Sequence, residues 1–240
     1  TLTMNFMVNT SPLAGREGKF VTSRQIRDRL NLELKSNVAL RVKDTDDDTV
    51  FEVSGRGELH LTILLENMRR EGYELAVSRP RVVYKDIDGV RCEPLELLTV
   101  DLEDGHQGSV MEEWGRRKGE LLDMQSDGRG RTRLEYRIPA RGLIGFSTEF
   151  MSLTHGTGLM SHIFDEYAPV REGSVGERRN GVLISQDNGD AVAYALWKLQ
   201  DRGRMFVSPG EPLYEGMIIG IHSRDNDLVV NPIKGKQLTN

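Results

Sequence analysis

The stretch HQGSVMEEWGRRKGELLDMQSDGRGRTRLEYRIPARGLIGFSTEFMSLTHG, His106 to Gly156, decides how this chain is read. Val110 and Trp114 lie about one helical turn apart in HQGSVMEEWGRRKG, which predicts a helix that packs both. GELLDMQSDG and RTRLEYRIPA follow as two strands across the turn Asp127-Gly128. RGLIGFSTEFMSLTHG then reads as a second helix that packs Leu143, Phe146 and Phe150. With CEPLELLTVDLED before it and GLMSHIFDEY after it as strands, the order is βαββαβ.

Working outward, the same order is written upstream. In TLTMNFMVN, Leu2, Met4, Phe6 and Val8 alternate with polar residues, the period of a half-buried strand. Thr22 or Ser23 caps a helix whose Ile26, Leu30 and Leu34 share one face, and Asn37 ends it. VALRVKDT and TVFEVSG are two strands joined at Asp46-Asp47-Asp48. A helix from Glu58 turns Leu61, Leu64, Leu65 and Met68 inward and stops at Gly72, and YELAVS closes the unit as a strand. Beyond Pro169, the runs GVLISQ, AVAYALWKLQ, RMFVSP, EPLYEGMIIGIHS and DLVVNPI are short, apolar and separated by turn residues, which favours a β-rich module. The expected fold class is therefore α+β: two tandem ferredoxin-like (βαββαβ) domains at 1–85 and 86–170, followed by a small β-rich C-terminal domain at 171–240. The chain opens on a strand without a methionine and closes on the polar KGKQLTN, so it is expected to be part of a longer protein, cut at both ends.

Of the 240 residues, 38% are hydrophobic and 29% charged, enough apolar material for a folded core. No run approaches the roughly 20 apolar residues of a membrane-spanning helix, and no basic-then-apolar leader opens the chain, so a cytoplasmic protein without membrane contact is expected. The single cysteine, Cys92, allows neither an internal disulfide nor a cysteine zinc site. The net charge of −5 argues against a DNA-coating protein. That sum hides segregation, because residues 86–170 carry 9 basic and 16 acidic groups, yet eight of the nine bases fall between Arg116 and Arg141 against four acids.

Several chemistries are missing from the pattern. No GxxxxGK[ST] loop is present to wrap nucleotide phosphates, and no Asn-Lys-x-Asp segment to read guanine. The five histidines show no HExxH or HxH spacing. Asp101, Asp104 and His106 read better as a solvated loop than as a metal site, and Asp44, Asp46, Asp47 and Asp48 as a charged hairpin turn. No GxSxG elbow occurs, and Cys92 has no local activator. The expectation is no catalytic residue, no cofactor and no metal in this chain.

SGRGELHLTILLENMRREGYELAVSRPRVVYKD, Ser54 to Asp86, resembles the third domain of translocase-type GTPases of the ribosome, and the stretch from His106 onward resembles their fifth. Elongation factor G has a large extra domain between the two, whereas here Pro80 runs into the second unit after a few residues. RIPARGLIGF and the tail VREGSVGERRNGVLISQDNGDAVAYALWKLQDRGRMFVSPGEPLYEGMIIG are similar to the TypA/BipA family of ribosome-associated GTPases, over essentially the whole chain. The resemblance implies a parent enzyme whose GTP and Mg sit in an N-terminal domain upstream of Thr1. It also implies a role in ribosome assembly and stress-adapted translation, with large-subunit rRNA, stalk-base proteins and the acceptor end of A-site tRNA as partners. A monomer is expected.

Candidate RNA contacts follow from both readings. Arg116, Arg117 and Lys118 end a helix, where cations either complement its dipole or meet phosphate. Arg129, Arg131 and Arg133 lie in and beside the glycine-rich hairpin GRGRTR, where a guanidinium reaches phosphate closely. Arg141 either caps locally or points at phosphate. Arg56, in the turn Gly55-Arg56-Gly57, is equally open to a local and a binding role. In the last module Arg178, Arg179, Lys198, Arg202, Arg204, Arg224, Lys234 and Lys236 recur near turns, and RNA contact there is implied by the resemblance, since the local charge sums to zero. With no RNA-recognition-motif stacking strand, binding is expected through phosphate and shape. Two other classes stay open on the fold alone: a small-ligand sensor built on tandem ferredoxin-like domains, and an acylphosphatase-like enzyme, for which no phosphate cradle is evident.

Overall fold

Thr22 and Gln25 lock each other at the start of the first helix. The Thr22 hydroxyl accepts the Gln25 N–H, and the Gln25 side chain accepts the Thr22 N–H, a reciprocal capping box. The helix it starts, α1 (Ser23–Leu34), follows strand β1 (Leu2–Met7) and precedes β2 (Arg41–Asp44), β3 (Val50–Gly55), α2 (Glu58–Glu71), β4 (Ala76–Val77) and β5 (Arg81–Val82). The computed structural model describes residues 1–175 and 180–235, in two compact units, Thr1–Gly176 and Glu177–Asn240.

In the first unit, β2, β3, β1 and β4 pair antiparallel in that order, and β5 joins β1 further along the same strand. The spacing predicts one closing strand where there are two short ones. Pro80, which has no N–H for a ladder, stands between them. Leu2, Met4 and Phe6 of β1 and Phe51 and Val53 of β3 are buried under Ile26 and Leu30 of α1 and Leu61, Leu64 and Met68 of α2, the alternation and helix faces expected from the spacing.

The pattern repeats with β6 (Lys85–Ile87), β7 (Val90–Glu103), α3 (Gln107–Arg116), β8 (Glu120–Ser126), β9 (Arg131–Pro139), α4 (Phe146–Leu153) and β10 (Leu159–Pro169). The strand order is β10-β7-β9-β8, again the ferredoxin-like arrangement, with β6 an added hairpin partner of β7. Leu98, Val100 and Leu102 of β7 and Leu134, Tyr136 and Ile138 of β9 bury against Val110 and Trp114 of α3 and Phe146 and Phe150 of α4. The expected long helix from Arg141 is instead a single 3₁₀ turn, Ala140–Gly142, and then α4. Gly145, at φ 71°, turns the chain between them.

The bend has a purpose in packing. Leu143 drops into the second core, while Ala140 and Ile144 pack on the first. The Gly145 N–H donates to Glu58 at the start of α2, 3.0 Å away, and the Tyr167 hydroxyl donates to the Val83 carbonyl at 3.1 Å. Segment 139–145 thus joins the two halves of this unit.

The second unit has β11 (Val182–Ser185), β12 (Gly189–Asp190), α5 (Ala193–Leu199), β13 (Gly203–Met205), β14 (Pro212–Leu213), β15 (Ile218–His222) and β16 (Leu228–Val230). A four-stranded sheet runs β13-β15-β11-β16, and β12 pairs β14. AVAYALWKLQ, grouped above with the strand-like runs, is mostly helix α5, which buries Ala195 and Leu196 and turns Trp197 outward. Gly203 lets β13 close on β15, since a Cβ there would lie 1.9 Å from the Ile221 carbonyl oxygen.

Glu74 shows how the loop before α1 is held. Its buried carboxylate accepts the N–H groups of Gly15 (2.7 Å) and Glu17 (2.9 Å). Burial works against its charge, but these backbone donors prevail and hold the carboxyl below the usual range. Glu74→Gln therefore loses about 1–3 kcal/mol of stability, a drop of about 3–8 °C in Tm. A depressed folded pKa stabilises above the unfolded value and is lost as pH falls through the folded one. The gap between wild type and variant in thermal melts should accordingly be full at pH 7 and shrink below about pH 4.

Candidate nucleic-acid interface

Folding sorts the candidate cations into committed and free. Arg117 is 7% exposed. It donates to Glu113 (3.0 Å), Glu149 (2.7 Å) and the Gly142 carbonyl (2.8 Å), and its guanidinium lies 4.6 Å from the centre of the Phe146 ring. Arg141 donates to Glu93 (2.6 Å), whose side chain is fully buried, and to the carbonyls of Arg171 and Gly173. Both residues hold segment 139–145 from inside. Of the cations expected from sequence to meet RNA, these two are the most committed inside the fold, each donating from Nε and both terminal nitrogens to carboxylates and carbonyls.

Arg131 is half committed, 2.5 Å from Asp101 with a further bond to the Thr157 carbonyl. Arg116 pairs with Glu112 and Glu113 on its own helix yet stays exposed. Lys118, at φ 63°, lies with its side-chain end beside Gly173. Asp104, read as loop, accepts the Thr132 hydroxyl. Among the described residues no three His, Cys, Asp or Glu groups converge as a metal site.

The hairpin between β8 and β9 keeps the Arg129 side chain free of carboxylates among the described residues. Asp127 accepts the N–H groups of Arg129 (2.6 Å) and Arg131 (3.0 Å), and these bonds hold its carboxyl below the usual range. That fixes the turn and leaves the Arg129 side chain exposed at its tip, with no carboxylate partner among the described residues. Arg133 is exposed on the sheet face opposite the core, with Glu135 at 3.9 Å as its one carboxylate partner among the described residues. Arg56 is exposed too. His60 fixes its turn by accepting the Arg56 N–H through Nδ1 (3.0 Å) and donating from Nε2 to Asn37 (3.0 Å).

A cleft of about 1000 Å³ opens beside Arg56 between the halves of the first unit, with exposed Val38, Leu59 and Ile63 on its rim. His162 sits on its far wall, and the Glu96 carboxylate that it contacts at 2.9 Å raises the imidazole above its usual range.

In the second unit, Arg202, Arg204, Arg224 and Lys234 lie at the surface, and none has a carboxylate within ion-pair distance among the described residues. Lys198 lies over the Tyr194 ring at 4.8 Å. Arg178, Arg179 and Lys236 fall outside the described residues. Sequence reading missed Trp197, exposed next to Lys198 on the helix and lining the same groove as Arg204. The signal available was the helical spacing of Ala193, Leu196 and Leu199, obscured by the apolar run.

Comparison with known proteins gives the arrangement a lineage. The TypA/BipA C-terminal domain profile matches residues 180–240, and the elongation factor G C-terminus profile matches residues 90–177. Across all 240 residues the chain is 62% identical to a protein of Escherichia coli K12 named large ribosomal subunit assembly factor BipA. The chain belongs to the TypA/BipA family. Proteins of the same name from Haemophilus influenzae and Bacillus subtilis are 61% and 58% identical over the same 240 residues. The chain spans about 40% of the length of these relatives. A solved chain from Thermus thermophilus superposes on 70% of this chain and 40% of its own, at a TM-score of 0.45 and 14% identity; the fold is assigned from strand order instead.

Removing a structural cation should look unlike removing a free one. Arg141→Met strands the fully buried Glu93 charge and should lower stability by about 3–5 kcal/mol, a fall of about 6–15 °C in Tm by calorimetry. Arg129→Met should leave Tm within about a degree, as surface substitutions do.

Proposed function

We propose that this chain is the ribosome-binding, non-catalytic part of a TypA/BipA-type GTPase that acts in assembly of the large ribosomal subunit and in stress-adapted translation. In this reading GTP and Mg are bound by an N-terminal domain of the whole protein, and the chain itself binds neither. The observation that carries the proposal is 62% identity, over every residue, to proteins named for large-subunit assembly.

The chemistry on the surface suits that role. A chain of net charge −5 cannot coat RNA uniformly, so it grips with the cations that folding leaves free. These are Arg56, Arg129 and Arg133 in the first unit and Lys198, Arg202, Arg204, Arg224 and Lys234 in the second, with Arg116, Lys118 and Arg131 as partly engaged auxiliaries. Their partners are large-subunit rRNA and, for the second unit, the acceptor end of A-site tRNA, with stalk-base proteins meeting the acidic surface of residues 86–170. The setting is the cytoplasm, and the binding form is a monomer.

The test is co-sedimentation of the 240-residue chain with large ribosomal subunits over a salt series. Log affinity should fall linearly with log salt, and the pair Arg129→Glu and Arg133→Glu should reduce that slope by about 1 per lost phosphate contact with Tm unchanged. Absent or salt-insensitive sedimentation would overturn the proposal.

A further inference from the structure

The second unit carries a groove at the edge of its core. Its floor and walls come from the outward face of α5 and from β13 with the segment after it, and include Ala193, Trp197, Arg204, Met205, Val207 and Pro209 around about 570 Å³. Trp197 is 65% exposed, an unusual place for so large an apolar ring. It does not hang loose. Its ring stacks at 28° on Tyr194, one turn earlier on the helix, with centroids 6.1 Å apart, and Lys198 covers Tyr194. The indole is thus presented as a flat outward surface braced by Tyr194.

Charge selects the occupant. Residues 193–209 hold Lys198, Arg202 and Arg204 against Asp201, a local net +2 inside a unit whose eight bases and eight acids sum to zero. Arg204 stands in the groove wall, exposed and with no carboxylate partner among the described residues. A flat aromatic face beside uncommitted cations fits a ligand with one π-face and an adjacent anion. A nucleotide has both, whereas an acidic peptide supplies charge without a stacking face, and an apolar helix gains nothing from the cations.

We infer that this groove takes an unpaired nucleobase of single-stranded RNA, stacked on Trp197, with Arg204 and Arg202 on the flanking phosphates. A duplex cannot use it, because its bases present no free faces. The inference rests on the RNA-binding reading above and adds to it a preference for unstacked RNA at a named place.

The sequence contains two tryptophans, and Trp114 is fully buried, so quenching of intrinsic fluorescence by a ligand reports on Trp197. The 240-residue chain is titrated with an unstructured RNA of about 8 nucleotides, with a long blunt-ended RNA duplex that has no loop at equal phosphate concentration, and with a poly-glutamate peptide. The single strand should quench, and the other two should not. Trp197→Ala should weaken single-strand binding, read by anisotropy of a labelled oligonucleotide, by about tenfold, while Trp197→Phe keeps most of the affinity. Equal quenching by duplex or peptide, or single-strand binding unchanged in Trp197→Ala at unchanged Tm, would overturn the inference. Salt-sensitive sedimentation with large subunits separates the two claims. If it persists while the groove fails to bind the single strand, the base site alone is wrong; if it is absent too, the RNA-binding reading falls with it.

Discussion

The structure of the first unit depends on two guanidinium groups held away from water. Arg117 and Arg141 fix segment 139–145 through Glu113, Glu149 and Glu93 and through three backbone carbonyls. That segment sends Leu143 into one core and Ala140 and Ile144 onto the other, so its conformation decides whether two ferredoxin-like halves behave as one unit. Arginine suits the task where lysine would not, because one planar fork meets two carboxylates and a carbonyl at once. A buried pair of this kind contributes little net stability over a well-packed apolar replacement. Losing one partner is another matter, since the remaining charge stays buried.

This constraint also shapes binding. The middle of the chain looks basic in sequence, but several of its cations are used inside, and the local excess of charge is not an equal excess of available donors. What remains outward includes arginines presented on tight turns: Arg56 on a turn fixed by His60, and Arg129 on a turn fixed by Asp127. Such cations are positioned by backbone geometry and need no salt bridge to hold them. In the second unit the logic reverses, because a neutral sum conceals bases that have no carboxylate partners among the described residues, and Arg204 among them lines one groove with the Trp197 indole. In the proposed RNA-binding role, affinity built this way is salt-dependent and directional.

Much of the fold is legible in the sequence because it is local. The Thr22 cap, the helix faces at Ile26 and Leu30 or Val110 and Trp114, and the alternation of β1 all follow from spacing within one element, and strand order follows from βαββαβ. The division of cations is not legible. Arg117 and Glu149 are 32 residues apart, and Arg141 and Glu93 are 48 apart, brought together only by the antiparallel return of the chain. Helix α5 escapes sequence reading for a different reason. Seven residues give under two turns, too few for a helical period to stand out from an apolar run, and with the helix goes the exposed face that carries Trp197.

The most direct measurement is arginine modification by phenylglyoxal, read residue by residue by mass spectrometry, on the free chain and on the chain bound to large ribosomal subunits. The expected result is that Arg117 and Arg141 stay unmodified in both states, while Arg129, Arg202 and Arg204 react in the free chain and are protected in the complex. Ready modification of Arg117 and Arg141 in the free chain, with protection on binding, would contradict the account.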